Sequence, residues 1–397
     1  MRHIPFFRFA VTGVAALILA ACETTNVAPI AASERPEETT DEAGLWLQMD
    51  ETEKLLKSSA LVENDDALNA YVQTVACRVV GPDYCPDLRV YVVKQPFFNA
   101  NMAPNGQMQI WTGLLLRAEN EAQLAFVIGH EFAHYRQRHS LQQWREIKNL
   151  ANASLLFSMG TAVAGVPEAA VLGDFSIAAR LYGFGRDKER EADELGFEFA
   201  TQAGYAGEEA AAIWKYLVSE VENSDLERNR RAIARASIFS THPVTSDRIE
   251  NLETLASETA HPGETAAAAY IEATGPFLAS WLDADLVQSD FGKHIFLLNH
   301  LLERDARQGV LYFRRGEAYR LRRDEGDEAR ALEDYIKAST FEDVPPAAWR
   351  EIGELQRRSG NQAQALEAYR TYLEKAPQAS DKLLIESYVE ALLQEQS

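Results

Sequence analysis

Two histidines four residues apart, His130 and His134, with Glu131 directly after the first, constrain this chain more than any other feature. They lie in "ENEAQLAFVIGHEFAHYRQR", 119–138, a run that begins acidic and ends basic. That order suits a helix dipole and predicts a helix. On a helix, positions i and i+4 are about 40° apart in projection, so both imidazoles leave from one face. The pair can hold one zinc ion. Glu131, turned away by about 100°, sits beside such an ion without binding it, where a base acting on zinc-activated water belongs. The plainer reading is a helix with two hydrogen-bonded histidines, so the rest of a site has to be sought elsewhere in the chain.

A catalytic zinc needs a third protein ligand and an open position. One solution places a histidine six residues after the second, with a glycine between, but Ser140 and Gln137 stand there. Another places a glutamate about twenty residues on, where this chain has Ser154. The next acids in a helical pair are Glu189 and Asp193, in "GRDKEREADELGF", 185–197. Glu189 is a candidate third ligand. Asp193, one turn on, is a candidate acceptor for the second N–H of a zinc-bound histidine, which such histidines usually need.

The N-terminus reads "MRHIPFFRFAVTGVAALILAAC". The apolar run Ala10–Ala21 is too short to span a bilayer comfortably and has the length of a signal-peptide apolar region. "LAAC", Leu19–Cys22, resembles the bacterial lipobox, which implies a signal peptide over 1–21 and lipidation of Cys22. Two acyl anchors give stable membrane attachment. Glu23, in place of an aspartate, favours the outer membrane. Residues 22–42 form a polar, acidic tether. Export implies an oxidising compartment, so Cys77 and Cys85 in "CRVVGPDYC" are expected to pair across the Gly81-Pro82 turn. A net charge of −21 argues against nucleic acid as a partner and against adhesion to anionic lipid.

A first domain is expected over 43–260. It contains a helix over 64–80, a strand over 88–94 and a hairpin turning at Pro104-Asn105-Gly106. Asn99, Ala100, Asn101, Met102 and Ala103 form a candidate strip to which an extended substrate adds as a strand. Apolar helices over 141–164 and 167–181 read as a buried hairpin, followed by helices at 186–203, 207–222, 227–239 and 244–258. Beyond a boundary near "SETAHPGET", residues 263–397 read as all-helical and repetitive. One unit carries Tyr312, Gly316, Tyr319, Ala331, Tyr335 and Ala338. The next carries Trp349, Ile352, Gly353, Gly360, Ala365, Tyr369 and Pro377. The second fits the tetratricopeptide pattern, with Gln356 where a tyrosine is usual. Residues 289–304 look like a degenerate preceding helix and 380–395 like a capping helix. The expected fold class is therefore mainly α with a small β-sheet, followed by an all-α repeat domain.

"HEFAH" followed by "EREAD" resembles the gluzincin peptidases that include the CAAX prenyl endopeptidases and the heat-shock protease HtpX. On "FFNANMAPNGQMQIWTGLLLRAENEAQLAFVIGHEFAH" the chain is most similar to the soluble, exported, BepA-like branch with tetratricopeptide repeats. The resemblance covers about 65–258 and, more loosely, the repeats. It implies one zinc ion per chain, with His130, His134 and Glu189 as ligands and Glu131 as catalytic base. Gly185-Arg186 stands where the family usually has Ser-Arg. "STHPVTSDRI", 240–249, resembles a segment of that branch in which a histidine reaches the zinc. His242 is thus a candidate displaceable fourth ligand, or else marks a helix start before Pro243. Arg248 is a candidate contact to the oxyanion or a residue that orients its loop. His139 is expected to follow the helix end as a partner of its dipole, and Glu191 to face solvent.

The function so implied is a lipid-tethered zinc metalloendopeptidase of the bacterial envelope, facing the periplasm. It would cut unfolded or misassembled envelope proteins, in quality control or outer-membrane protein assembly, with a protein partner at the repeats. The alternative is a chaperone or assembly adaptor in which the repeats act and the zinc domain is mainly structural.

Overall fold

The computed structural model describes residues 27–149, 184–233, 244–259 and 262–395. Cys22 and the leader, most of the expected apolar hairpin over 141–181, and His242 lie outside the described residues. Among the described residues no helix is long and apolar enough to cross a membrane. The chain divides into two compact units, one of Met1–Lys215 with Arg235–Ala273, the other of Tyr216–Ala234 with Thr274–Ser397.

The first unit is built around one helix. Helix α1 (Asp41–Lys57) and helix α2 (Asp66–Val80) precede strand β1 (Arg89–Val93), and β2 (Ala100–Met102) and β3 (Gln107–Trp111) form the expected hairpin. The sheet order is β1-β3-β2, with β1 parallel and β2 antiparallel to β3. Its inner positions are Val92, Ala100, Met102, Met108 and Ile110, all buried. After the short α3 (Thr112–Arg117), Asn120 caps α4 (Glu121–Arg136) by accepting from Gln123 N at 3.0 Å. Every residue of α4 from Glu121 to Tyr135 is buried. A helix covered on all sides belongs at the centre of a domain. Its buried acid Glu121 is satisfied by the hydroxyls of Tyr71 at 2.7 Å and Tyr205 at 2.6 Å.

Three later segments pack around this centre. A helical stretch over 139–149 follows a two-residue turn. Helix α5 (Arg186–Gln202) packs along α4, and α6 (Ser246–Glu258) packs on α5. Residues 27–149 thus contain the disulfide Cys77–Cys85, which ties the end of α2 to the turn before β1, as expected. Glu53 of α1 ties that helix to the sheet. It accepts from Arg89 Nε and Nη2, both at 2.7 Å, and from the Tyr91 hydroxyl at 2.7 Å.

The second unit is a series of packed helix pairs. Helices α7 (Gln308–Arg322) and α8 (Asp327–Ala338) form one, α9 (Ala347–Arg358) and α10 (Gln362–Lys375) the next. Each pair closes over one contact. A Cβ on Gly316 would stand 2.6 Å from the Tyr335 ring, and one on Gly353 would stand 2.5 Å from Tyr369. Beside each glycine an acid takes the tyrosine hydroxyl: Glu317 that of Tyr335, and Glu354 that of Tyr369. Arg320 and Arg357 bind those same acids. The terminal helix α11 (Lys382–Glu395) lays Ile385 and Leu392 on Tyr369 and Tyr372.

Candidate metal centre

Two glycines set the distance between α4 and α5. A Cβ on Gly129 would meet Gly196 O at 2.8 Å, and a Cβ on Gly196 would meet His130 N at 2.7 Å. With no side chain at either point the two backbones nearly touch. His130 and His134 from α4 then face Glu189 and Asp193 from α5 across a short gap. All four are buried.

The donor atoms converge. His130 Nε2 and His134 Nε2 are 3.2 Å apart. Glu189 Oε2 lies 3.6 Å from His130 Nε2, and Oε1 lies 3.5 Å from His134 Nε2. Zinc bonds of about 2.0–2.1 Å in a tetrahedron separate ligand atoms by about 3.3 Å. Two imidazole nitrogens and one carboxylate spaced this way fit such an ion. Glu189 sits in the first turn of α5, where the helix dipole favours a negative charge.

Behind the donors lies a charged clamp. Asp193 Oδ1 lies 3.0 Å from His130 Nδ1. Arg248 binds Asp193 with two parallel bonds, Nε to Oδ2 at 2.5 Å and Nη2 to Oδ1 at 2.7 Å. Its third nitrogen, Nη1, reaches Glu189 Oε2 at 2.8 Å. Burial pushes the Asp193 carboxyl up, but the Arg248 bonds and charge, with His130, outweigh it and hold it below the usual range. Burial likewise opposes the Arg248 charge, and Asp193, Glu189 and Glu131 outweigh it. Thr245 caps α6 by accepting from Arg248 N at 3.4 Å, which fixes the arginine in the first turn. The ring of Trp214 lies under the guanidinium, 5.1 Å from Cζ, and edge-on to His130 at 6.1 Å.

Glu131 is buried in α4 next to His130, with its charge close to Arg248. The strip Asn99–Ala103 lies beside α4, with β2 at the sheet edge. Asn99 O accepts from Trp111 N at 3.1 Å and Ala103 N donates to Gln107 O at 2.7 Å, so both face inward. By alternation the outward backbone groups belong to Ala100 and Met102.

One expectation is corrected. His139 follows the end of α4 at Arg136, as expected, but its side chain meets His134 and not the helix end. Arg138 takes φ 54°, the left-handed region, and the chain folds back. His139 is then buried with Nδ1 2.9 Å from His134 Nδ1. Glu191 is exposed, as expected, and lies 3.3 Å from His139 Nε2. Burial first, then the charge of Lys188, pushes the His139 ring down to about 4. Phe184 stacks on His134 with ring centres 4.2 Å apart. The signal for His139 was a third histidine in a helix-ending segment; that for Gly129 and Gly196 was a glycine inside each half of the site.

Residues 63–256 match the model of peptidase family M48. This stretch, just under half of the chain, is similar to the M48 peptidases. Over 204 residues, 49% of this chain and 40% of the relative, the sequence is 26% identical to a putative beta-barrel assembly-enhancing protease of Vibrio cholerae. It is 24% identical to the beta-barrel assembly-enhancing protease of Escherichia coli over 51% of this chain and 42% of the relative. To the mitochondrial metalloendopeptidase OMA1 of Saccharomyces cerevisiae it is 28% identical over 41% of this chain and 45% of the relative. The chain thus spans less than half the length of these relatives. The M48 match fits the buried His130, His134 and Glu189 cluster, the one such group among the described residues.

Proposed function

We propose that the protein is a zinc metalloendopeptidase that hydrolyses peptide bonds in unfolded or misassembled proteins of the bacterial envelope. The observation that carries this reading is the convergence of His130 Nε2, His134 Nε2 and a Glu189 oxygen beside the buried Glu131. Those three side chains would hold the ion. When bound, zinc supplies Lewis-acid polarisation of the scissile carbonyl and acidifies the attacking water. Glu131 takes the proton from that water and returns it to the leaving amine. Asp193 holds His130 in one tautomer. Arg248 binds Glu189 Oε2 and would orient that carboxylate for the ion. Its donors are committed to carboxylates, which favours the orienting role over contact with the oxyanion.

An extended substrate adds at the outer edge of β2, bonded to Ala100 and Met102. Ala100→Pro removes one outward N–H and should weaken peptide cleavage through KM; an unchanged KM would exclude strand addition. The names of the bacterial relatives support an envelope role in beta-barrel assembly, and the lipobox supports a membrane tether at Cys22. The glycine–tyrosine contact repeated in two successive helix pairs supports tetratricopeptide-type repeats that recruit a protein partner.

The test is Glu131→Gln beside Glu189→Ala. The first should retain one zinc per chain and lose at least about a thousandfold in cleavage, since it removes the proton carrier and leaves the ligands. The second should lose the zinc. If Glu131→Gln restored every cellular defect of a deletion, the repeats acting as an adaptor would be the main function.

A further inference from the structure

His134 turns Nε2 toward the point where the donors converge, so its Nδ1 is left to a partner behind it. Metal-bound imidazoles are commonly oriented through that far nitrogen by a carboxylate, a carbonyl or water. Behind His130 stands a carboxylate, Asp193 Oδ1, 3.0 Å from its Nδ1. His134 instead meets a second imidazole, His139, at 2.9 Å between Nδ1 atoms. Two ring nitrogens at that distance share one proton: one donates and the other offers a lone pair. With its Nε2 lone pair committed to the ion, His134 carries its proton on Nδ1 and is the donor. His139 is then the acceptor at Nδ1 and carries its own proton on Nε2, which faces Glu191 Oε2 at 3.3 Å.

We infer that His139 is a positioning residue of the metal centre: its Nδ1 lone pair fixes the tautomer and ring plane of His134, and Glu191 fixes the tautomer of His139. The surroundings hold this relay in place. The left-handed turn at Arg138 that folds His139 back is fastened by that arginine's side chain. It donates to Ala28 O at 3.0 Å, pairs with Glu42 at 3.1 Å and binds Glu34. Phe184 stacks on the His134 ring and prevents it from swinging away. The two zinc histidines therefore have unlike backing. One rests on a carboxylate clamped by Arg248, the other on an imidazole that ends at a half-exposed glutamate.

The inference rests on His134 being a ligand, and the test separates the two. Zinc affinity of the full chain is measured by competition with a chromophoric chelator for the parent, His134→Ala, His139→Leu and His139→Asn. Failure of the parent to bind, or parent-like binding by His134→Ala, sinks the ligand assignment itself. With those controls as expected, His139→Leu fills the site without an acceptor and should bind zinc about 10–100-fold more weakly. His139→Asn puts an amide oxygen near the place of Nδ1 and should recover affinity to within about threefold of the parent. Parent-like affinity in His139→Leu, or equal losses in both variants, would overturn the inference. A measurement on the zinc-loaded parent needs no variant to fold. Nitrogen-15 shifts of His139 should show Nδ1 bare and Nε2 protonated, and the opposite tautomer would overturn it.

Discussion

At the scale of single residues, Arg248 does the most with the least room. One buried guanidinium faces Asp193, Glu189 and, at longer range, Glu131. Removing one partner of a buried ion pair leaves an uncompensated charge, which costs about 3–5 kcal/mol. Arg248→Met should therefore lower the stability of the metal-free chain by about that much, read from urea unfolding. Added zinc should recover part of the loss, because the ion neutralises Glu189. Arg248→Lys should recover less than half, since an ammonium cannot make the two parallel bonds to Asp193 and also reach Glu189. An Arg248→Lys chain as stable as the parent would mean that charge alone, and not the planar fork, is what the site requires.

At the scale of elements, the crossing of α4 and α5 decides whether there is a site. Gly196→Ala places a methyl group 2.7 Å from His130 N and 2.9 Å from its Cα, against backbone that cannot turn aside. The helices must separate, at about 1–3 kcal/mol of stability, and zinc affinity should fall at least about tenfold as Glu189 withdraws. A Gly196→Ala chain with parent-like zinc affinity would show that the glycine contact does not set the gap. The junction of α1 with the sheet has its own signature. The Arg89 hydrogen bonds beside Glu53 outweigh burial and, with Tyr91 and Lys57, hold its carboxyl at about 2, below the ordinary 4.5. A depressed folded value contributes stability that is complete above pH 4.5 and is lost as pH falls toward 2. The contribution is on the order of 3 kcal/mol. Glu53→Gln should flatten the stability profile across that window, measured by chemical unfolding at successive pH values. Much at this scale was legible beforehand. The hairpin, α2, α4 and α5 fall within a few residues of their expected places, because Asn-Gly turns, helix caps and apolar periodicity act over short stretches. The parallel pairing of β1 with β3 was not legible, because nothing local in either strand specifies a non-adjacent partner.

At the scale of the whole molecule, two compact units carry two kinds of order. The first depends on contacts between distant segments, and the second on neighbours that repeat one contact, a glycine against a tyrosine ring. Gly353→Val would drive its side chain into Tyr369, whose ring stands 2.5 Å from the Cβ position. Calorimetry should show the unfolding of the second unit moved down by several degrees, while zinc stoichiometry and cleavage of a short peptide stay at parent levels. Loss of zinc in that variant would mean that the units do not hold their structures independently. Sequence pattern alone picked out the residues that converge: two histidines on one helix face, a glutamate beside them, an acid pair on a second helix and a cysteine pair across a turn. Each is a local pattern, fixed by helical period or turn geometry. Only the tertiary structure decided how far apart the two helices lie, what stands behind each histidine, and where Arg248 and His139 point. Those depend on backbone approach and on chain reversal at Arg138, where packing between remote segments overrides what any short stretch prefers.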